Sequence, residues 1–114
     1  AVVGRAYRHD QNQQSGEATA VFRPRLPHAG EYEIRVAYTP NANRASNVAV
    51  TVTSRAGTKQ LTLNQKQKPS HGAFHSLGRF RFNKGADGSV TISNKGANGY
   101  VVIYAVQFLP TETK

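Results

Sequence analysis

The chain has 114 residues, of which 38% are hydrophobic and 9% aromatic, enough for one domain with its own core and too few for two. It has no Cys, Met or Trp, which excludes disulfides, thiolate nucleophiles, Cys-built metal sites and sugar platforms made of Trp. Fifteen Lys and Arg against six Asp and Glu give a net charge of +9, spread from Arg5 and Arg8 to Lys84 and Lys95 with no tail-like block; such an excess either concentrates polyanions or only keeps a small domain soluble.

The dominant period along the chain is two, the signature of strands with one buried face. Residues 17–23 place Ala18, Ala20 and Phe22 on one side. Residues 32–38 set Tyr32, Ile34, Val36 and Tyr38 against Glu33 and Arg35. Residues 47–53 alternate Val48, Val50 and Val52 with Ala49, Thr51 and Thr53. A fourth strand is expected at residues 60–64, with Leu61 and Leu63 together, and a fifth at 78–82, with Phe80 and Phe82 inward and Arg79 and Arg81 outward. Residues 89–93 form the sixth. The last, Tyr100 to Leu109, is apolar on both faces and reads as a central strand buried on both sides.

Turn signals separate these runs at Pro27-His28-Ala29-Gly30, Ala56-Gly57, Gly85-Ala86-Asp87-Gly88 and Gly96-Ala97-Asn98-Gly99. No segment sustains a 3.6 period. Seven or more short strands at near-regular spacing predict an all-β fold, an antiparallel β-sandwich of jelly-roll-like type, as a single domain over residues 1–114. Two longer connections stand out, residues 40–46 and 65–76. Long loops on a rigid β scaffold are where function concentrates.

No run approaches the roughly 18 apolar residues of a membrane span. No signal peptide is visible. A start on Ala1 rather than Met reads as a piece excised from a larger protein, whose leader, if the parent is exported, lies outside the piece.

Candidate chemistry is sparse. His71 and His75 have H-x3-H spacing, but Pro69, Gly72 and Phe74 argue against a helix. In an extended chain the two would lie about 13 Å apart, too far to share an ion, and no third ligand is evident. The carboxylates are Asp10, Glu17, Glu31, Glu33, Asp87 and Glu112, and none forms an evident pair for glycoside hydrolysis. His9 beside Asp10 suggests half of a triad, but no serine stands in a nucleophile elbow. Asp10 is better read as a structural acceptor, with Arg44 as the partner of a clamp between the N-terminal segment and the 40s loop. No phosphate-cradling glycine motif is present. Basic charge with aromatics on a sheet can bind nucleic acid. Here Phe22, Phe80, Phe82 and Phe108 read as core, and no RNP-like cluster exists, so nucleic acid is a secondary expectation.

The segments Tyr7-Arg8-His9-Asp10, Phe22-Arg23-Pro24, Leu26-Pro27-His28-Ala29-Gly30-Glu31-Tyr32-Glu33-Ile34-Arg35, Ala37-Tyr38-Thr39-Pro40, Asn43-Arg44-Ala45-Ser46-Asn47-Val48 and Val50-Thr51-Val52 resemble the golvesin C-terminal-like domain, also described as a xanthan-lyase carbohydrate-binding-like domain. The likeness continues in Gly72-Ala73-Phe74, Ser76-Leu77-Gly78, Gly88-Ser89-Val90-Thr91-Ile92, Gly99-Tyr100-Val101-Val102 and Ala105-Val106-Gln107-Phe108-Leu109-Pro110. It covers nearly the whole chain in order. Two departures are visible: the family pattern often begins with an aromatic strand upstream, and it often has an acid where this chain has Tyr104.

The resemblance implies a non-catalytic β-sandwich carried by large secreted bacterial proteins such as polysaccharide lyases and FAD-dependent oxidoreductases. Together with the charge, it predicts a carbohydrate-binding module without a cofactor, extracellular or on the cell surface and monomeric. Its expected partners are an acidic polysaccharide such as xanthan and a catalytic domain of its parent. The expected ligand residues are Asn41, Asn43 and Arg44 of the first long loop and Lys66, Lys68, His71 and His75 of the second, with Tyr7 or Tyr38 as a stacking platform. The competing expectations are a docking spacer that binds no glycan and a non-specific polyanion or nucleic-acid binder.

Overall fold

The structure is a computed structural model that describes residues 5–6, 19–70, 72–103 and 105–111. The alternating sequence produces eight strands: β1 (Arg5–Ala6), β2 (Thr19–Phe22), β3 (Gly30–Ala37), β4 (Val48–Ser54), β5 (Gly57–Leu63), β6 (Phe74–Phe82), β7 (Ser89–Ser93) and β8 (Ala105–Pro110). They form two four-stranded sheets, in the orders β1-β8-β3-β6 and β2-β7-β4-β5, and every strand pair is antiparallel. Only the β4–β5 hairpin stays within its sheet; the other connections from β2 onward cross between the layers, giving the eight-stranded jelly roll. The all-β sandwich expected from the sequence is therefore what the chain forms.

The inward rows of both sheets meet in one core. Tyr32, Ile34, Val36, Phe82, Val106 and Phe108 come from the first sheet, and Phe22, Val48, Val50, Val52, Val90 and Ile92 from the second. Phe82 stands edge-on to both Tyr32 (centroids 6.1 Å apart) and Phe108 (5.7 Å). Each such pair contributes about 0.5–1.5 kcal/mol beyond its buried area. Gly88 is a requirement of that cluster, because a Cβ there would overlap the Phe82 ring.

Three expected elements are corrected. The strand expected over residues 60–64 is β5, which starts at Gly57 and ends at Leu63. The strand expected from Tyr100 begins only at Ala105. Val101, Val102 and Ile103 are buried but lie outside any strand, because Tyr100 is drawn into a bridge with Arg44. The remainder, β8, is an inner strand between β1 and β3, buried from Ala105 to Phe108. Conversely, β6 starts at Phe74, so His75 belongs to a strand rather than to the second long loop. The pairing shifts between Ile34 and Arg35, where Ile34 faces Gly78 and Arg35 faces Ser76. Leu77 is the extra residue of this bulge.

Candidate loop-end binding site

Three connections converge on one end of the sandwich: residues 38–47 after β3, 64–73 after β5 and 94–104 after β7. They are bound to one another by backbone. The Ala45 amide donates to the Tyr100 carbonyl (2.7 Å), the Tyr100 amide to the Asn43 carbonyl (2.9 Å) and the Gln65 amide to the Ala45 carbonyl (2.9 Å). The two loops singled out in the sequence therefore belong to one structure, with the third between them.

Gln65 is the centre of this assembly. It is completely buried, and its side-chain amide closes a two-way bond with Val102: Nε2 donates to the Val102 carbonyl (2.6 Å), and Oε1 accepts from the Val102 amide (2.9 Å). A buried primary amide can act as donor and acceptor at once, which lets it stand in for a neighbouring strand where none exists. Asn98 does the same nearer the surface. Its Oδ1 accepts from the Ser46 amide (2.9 Å), its own amide donates to Asn47 Oδ1 (2.9 Å), and its Nδ2 donates to Ser46 Oγ (2.8 Å). Asn47 Nδ2 then donates to the Gly96 carbonyl (3.0 Å). Gly99 is needed because a Cβ would stand 2.7–2.9 Å from the Arg44 carbonyl and the Ala45 nitrogen.

On this frame the expected residues fall into distinct groups. Asn41, Asn43, Lys66 and Lys68 are exposed at the loop end. Arg44 is half-buried and serves its own loop, with Nε donating to the Thr39 carbonyl (3.1 Å) and Nη1 to Asn43 Oδ1 (2.9 Å). Tyr38 is corrected as a platform. It is 3% exposed, in the core, and its hydroxyl donates to the Gln67 carbonyl (2.8 Å), with the Asn64 carbonyl 3.3 Å away. Burial raises its phenol above the ordinary 10.0. His75 is half-buried on β6 opposite Val36. Tyr7, Asp10 and His71 lie outside the described residues, and with Asp10 so does the expected Asp10–Arg44 clamp.

Sequence reasoning missed Gln65, Asn98 and Tyr100. Tyr100 is the tyrosine that stands half-exposed at this end among the described residues. Lys95 adds a further exposed cation, and no Asp or Glu occurs in the described parts of the three loops. The end presents side-chain amides, ammonium groups and a phenol ring, groups that hold hydroxyls and carboxylates. Among the described residues no group of three or more His, Cys, Asp or Glu is placed to hold a metal ion.

The family model of the Golvesin C-terminal domain matches residues 1–110. The chain is 38% identical over 109 residues to xanthan lyase of Bacillus sp. (strain GL1), a match covering 93% of this chain and 12% of that protein. In structure it is similar to Paenibacillus xanthan lyase, with a TM-score of 0.81 and 31% identity over 97% of this chain and 12% of the other. Two GH26 mannanases are more distant. A ruminal endo-beta-1,4-mannanase matches at TM-score 0.54 and 17% identity, over 91% of this chain and 22% of its own. The GH26-CBM35 beta-(1,4)-mannanase of Podospora anserina matches at 0.52 and 13%, over 100% and 26%. The mannanase likenesses speak for the fold alone. This chain spans about an eighth of the xanthan lyases it matches.

Proposed function

The chain belongs to the Golvesin C-terminal domain family, and from that membership we propose that it is a non-catalytic carbohydrate-binding module of a larger, secreted bacterial polysaccharide-degrading protein. Its ligand is an acidic polysaccharide of the xanthan kind, bound outside the cell by a monomeric module while the chemistry resides in another domain. The observation that carries this reading is the likeness to about an eighth of a xanthan lyase, combined with a loop end that has four cations and no described acid. Asn41 and Asn43 supply amides for sugar hydroxyls, Lys66 and Lys68 face carboxylates, and Tyr100 takes over the stacking role expected of Tyr38.

Affinity electrophoresis through gels of xanthan, alginate, pectin, heparin and a neutral glucan, at low and high salt, tests it. Retention by one acidic polysaccharide that survives salt supports the module. Retention by none favours a docking spacer of the parent enzyme. Equal, salt-erased retention by all of the acidic polymers favours non-specific polyanion binding.

A further inference from the structure

The end of the sandwich opposite the loop site carries a second concentration of positive charge that no sequence motif marks. The connections there are residues 23–29, 55–56 and 83–88. The Leu26 and Gly85 backbones bond to each other in both directions at 2.9 Å, which joins the first and third connections. The Arg55 amide donates to the Arg81 carbonyl (2.7 Å), which ties the β4–β5 turn of one sheet to β6 of the other. Arg23 follows Phe22, whose strand partner Val90 also pairs with Val52, so the exits of β2 and β4 lie two strand spacings apart, about 10 Å. Arg23, Arg25, Arg55 and Lys84 are all exposed at this pole. Among the described residues none of the four has an ion pair, and the acid in these connections is Asp87, held by Asn83 Nδ2 at 3.4 Å.

Beside this pole, Arg81 on β6 and Lys59 on β5 are further exposed cations, and Glu31 stands opposite Arg81 on β3. On the outer face of the second sheet, the rows Val21–Thr91–Thr51–Gln60 and Thr19–Ser93–Ala49–Thr62 are uncharged. On the first sheet Glu33 pairs with Arg35 (3.1 Å) and Glu31 lies 4.0 Å from Arg79. The connections thus gather exposed cations at both ends of the sandwich, which are separated by the length of β6, about 26 Å. The poles differ in chemistry. The loop end presents mainly lysines, whereas this one is built on arginines, whose planar forks match carboxylates in bidentate fashion.

We infer that the pole formed by Arg23, Arg25, Arg55 and Lys84 is a second binding site, for the carboxylates of a uronate-bearing polysaccharide, and that the module is bivalent. The choice of ligand class rests on the carbohydrate-binding reading; the position of the site does not.

The test titrates the isotope-labelled chain with an oligogalacturonate and follows amide and arginine Nε–H resonances by NMR. The pole predicts shifts at Arg23, Arg25 and Arg55, separate from any at residues 41–47 and 64–68, so the two readings can fail independently. The variant Arg23→Gln/Arg25→Gln/Arg55→Gln is expected to weaken binding at the pole about tenfold. It should also abolish the turbidity that a bivalent module causes with polygalacturonate. The variant Lys66→Gln/Lys68→Gln/Lys95→Gln removes the same charge and should leave the pole resonances responsive. The proposal is overturned by the absence of shifts at the three arginines, by equal weakening of the pole in both variants, or by binding of a single-stranded oligonucleotide there as tightly as the uronate.

Discussion

Replacing Gln65 with alanine removes the pin on which the three loops turn. Two hydrogen bonds to Val102 are lost, and both the amide and the carbonyl of Val102, a residue 1% exposed, lose their partner. Each orphaned buried group costs about 1–3 kcal/mol, so a loss of about 4 kcal/mol is expected. That is a large part of the 5–15 kcal/mol typical of a domain, and it corresponds to a Tm lower by about 15 °C. Urea denaturation of this variant beside Gln60→Ala, an exposed position on β5, measures the effect; the control should change by less than about 0.5 kcal/mol. Hydrogen exchange should place the damage at the amides of Ala45 and Val102. Gln65→Glu gives a second reading. Its carboxylate would face the Val102 carbonyl and be destabilising at pH 7, whereas the protonated acid regains a donor. Its folded-state pKa is thus raised: stability is fully restored below the ordinary carboxylate value of about 4 and is lost as pH rises from there through the raised folded-state pKa. A loss below about 1 kcal/mol in Gln65→Ala, with loop amides still protected, would refute the role given to this residue.

Gly99→Ala should separate the 40s loop from the 94–104 loop, because the new Cβ meets backbone rather than a yielding side chain. The expected cost is about 2 kcal/mol, with faster exchange of the Ala45 and Tyr100 amides in NMR. Gly88→Ala should displace Phe82 and cost about 1–3 kcal/mol in urea denaturation, with the change in aromatic signals confined to Tyr32, Phe82 and Phe108. Burial holds the phenols of Tyr38 and Tyr32 above their ordinary 10.0. Their contribution to stability is therefore full below about pH 10 and is lost as the pH rises through their folded-state values. Tyr38→Phe should lose about 1 kcal/mol at pH 7 and show a shallower decline in a urea series from pH 8 to 11.

The strands whose inward and outward residues differ in kind were legible in the sequence. β4 alternates valine with alanine and threonine, and β7 is found at the residues expected. The misplaced starts of β8 and β6 have one physical cause each. Val101, Val102 and Ile103 are apolar because they are buried, and a hydrophobic run does not reveal whether its backbone bonds are met by a strand or, as here, by the side chain of Gln65. The first half of β6 was hidden because the bulge at Leu77 breaks its alternation, and the polar residues before it read as a continuing loop. Tyr38 fits the alternation that places its ring inside, and the search for a stacking platform placed it outside. Gln65 and Asn98 look like ordinary loop residues, since burial of a polar side chain leaves no local signature. The arginine pole was illegible for a different reason. Its members lie up to 61 positions apart (Arg23 to Lys84) and are brought together by the pairing of Leu26 with Gly85, of Arg55 with Arg81 and of β2 and β4 with β7.

The claim that this sandwich grips an acidic glycan is tested most directly by calorimetric titration with xanthan and with the same polymer after reduction of its carboxyl groups to alcohols. The account predicts measurable binding to native xanthan that is lost on reduction, with the polysaccharide chain length unchanged throughout. Heat of binding equal for both polymers, absence of binding to either, or shortening of the chains by this polypeptide alone would contradict it.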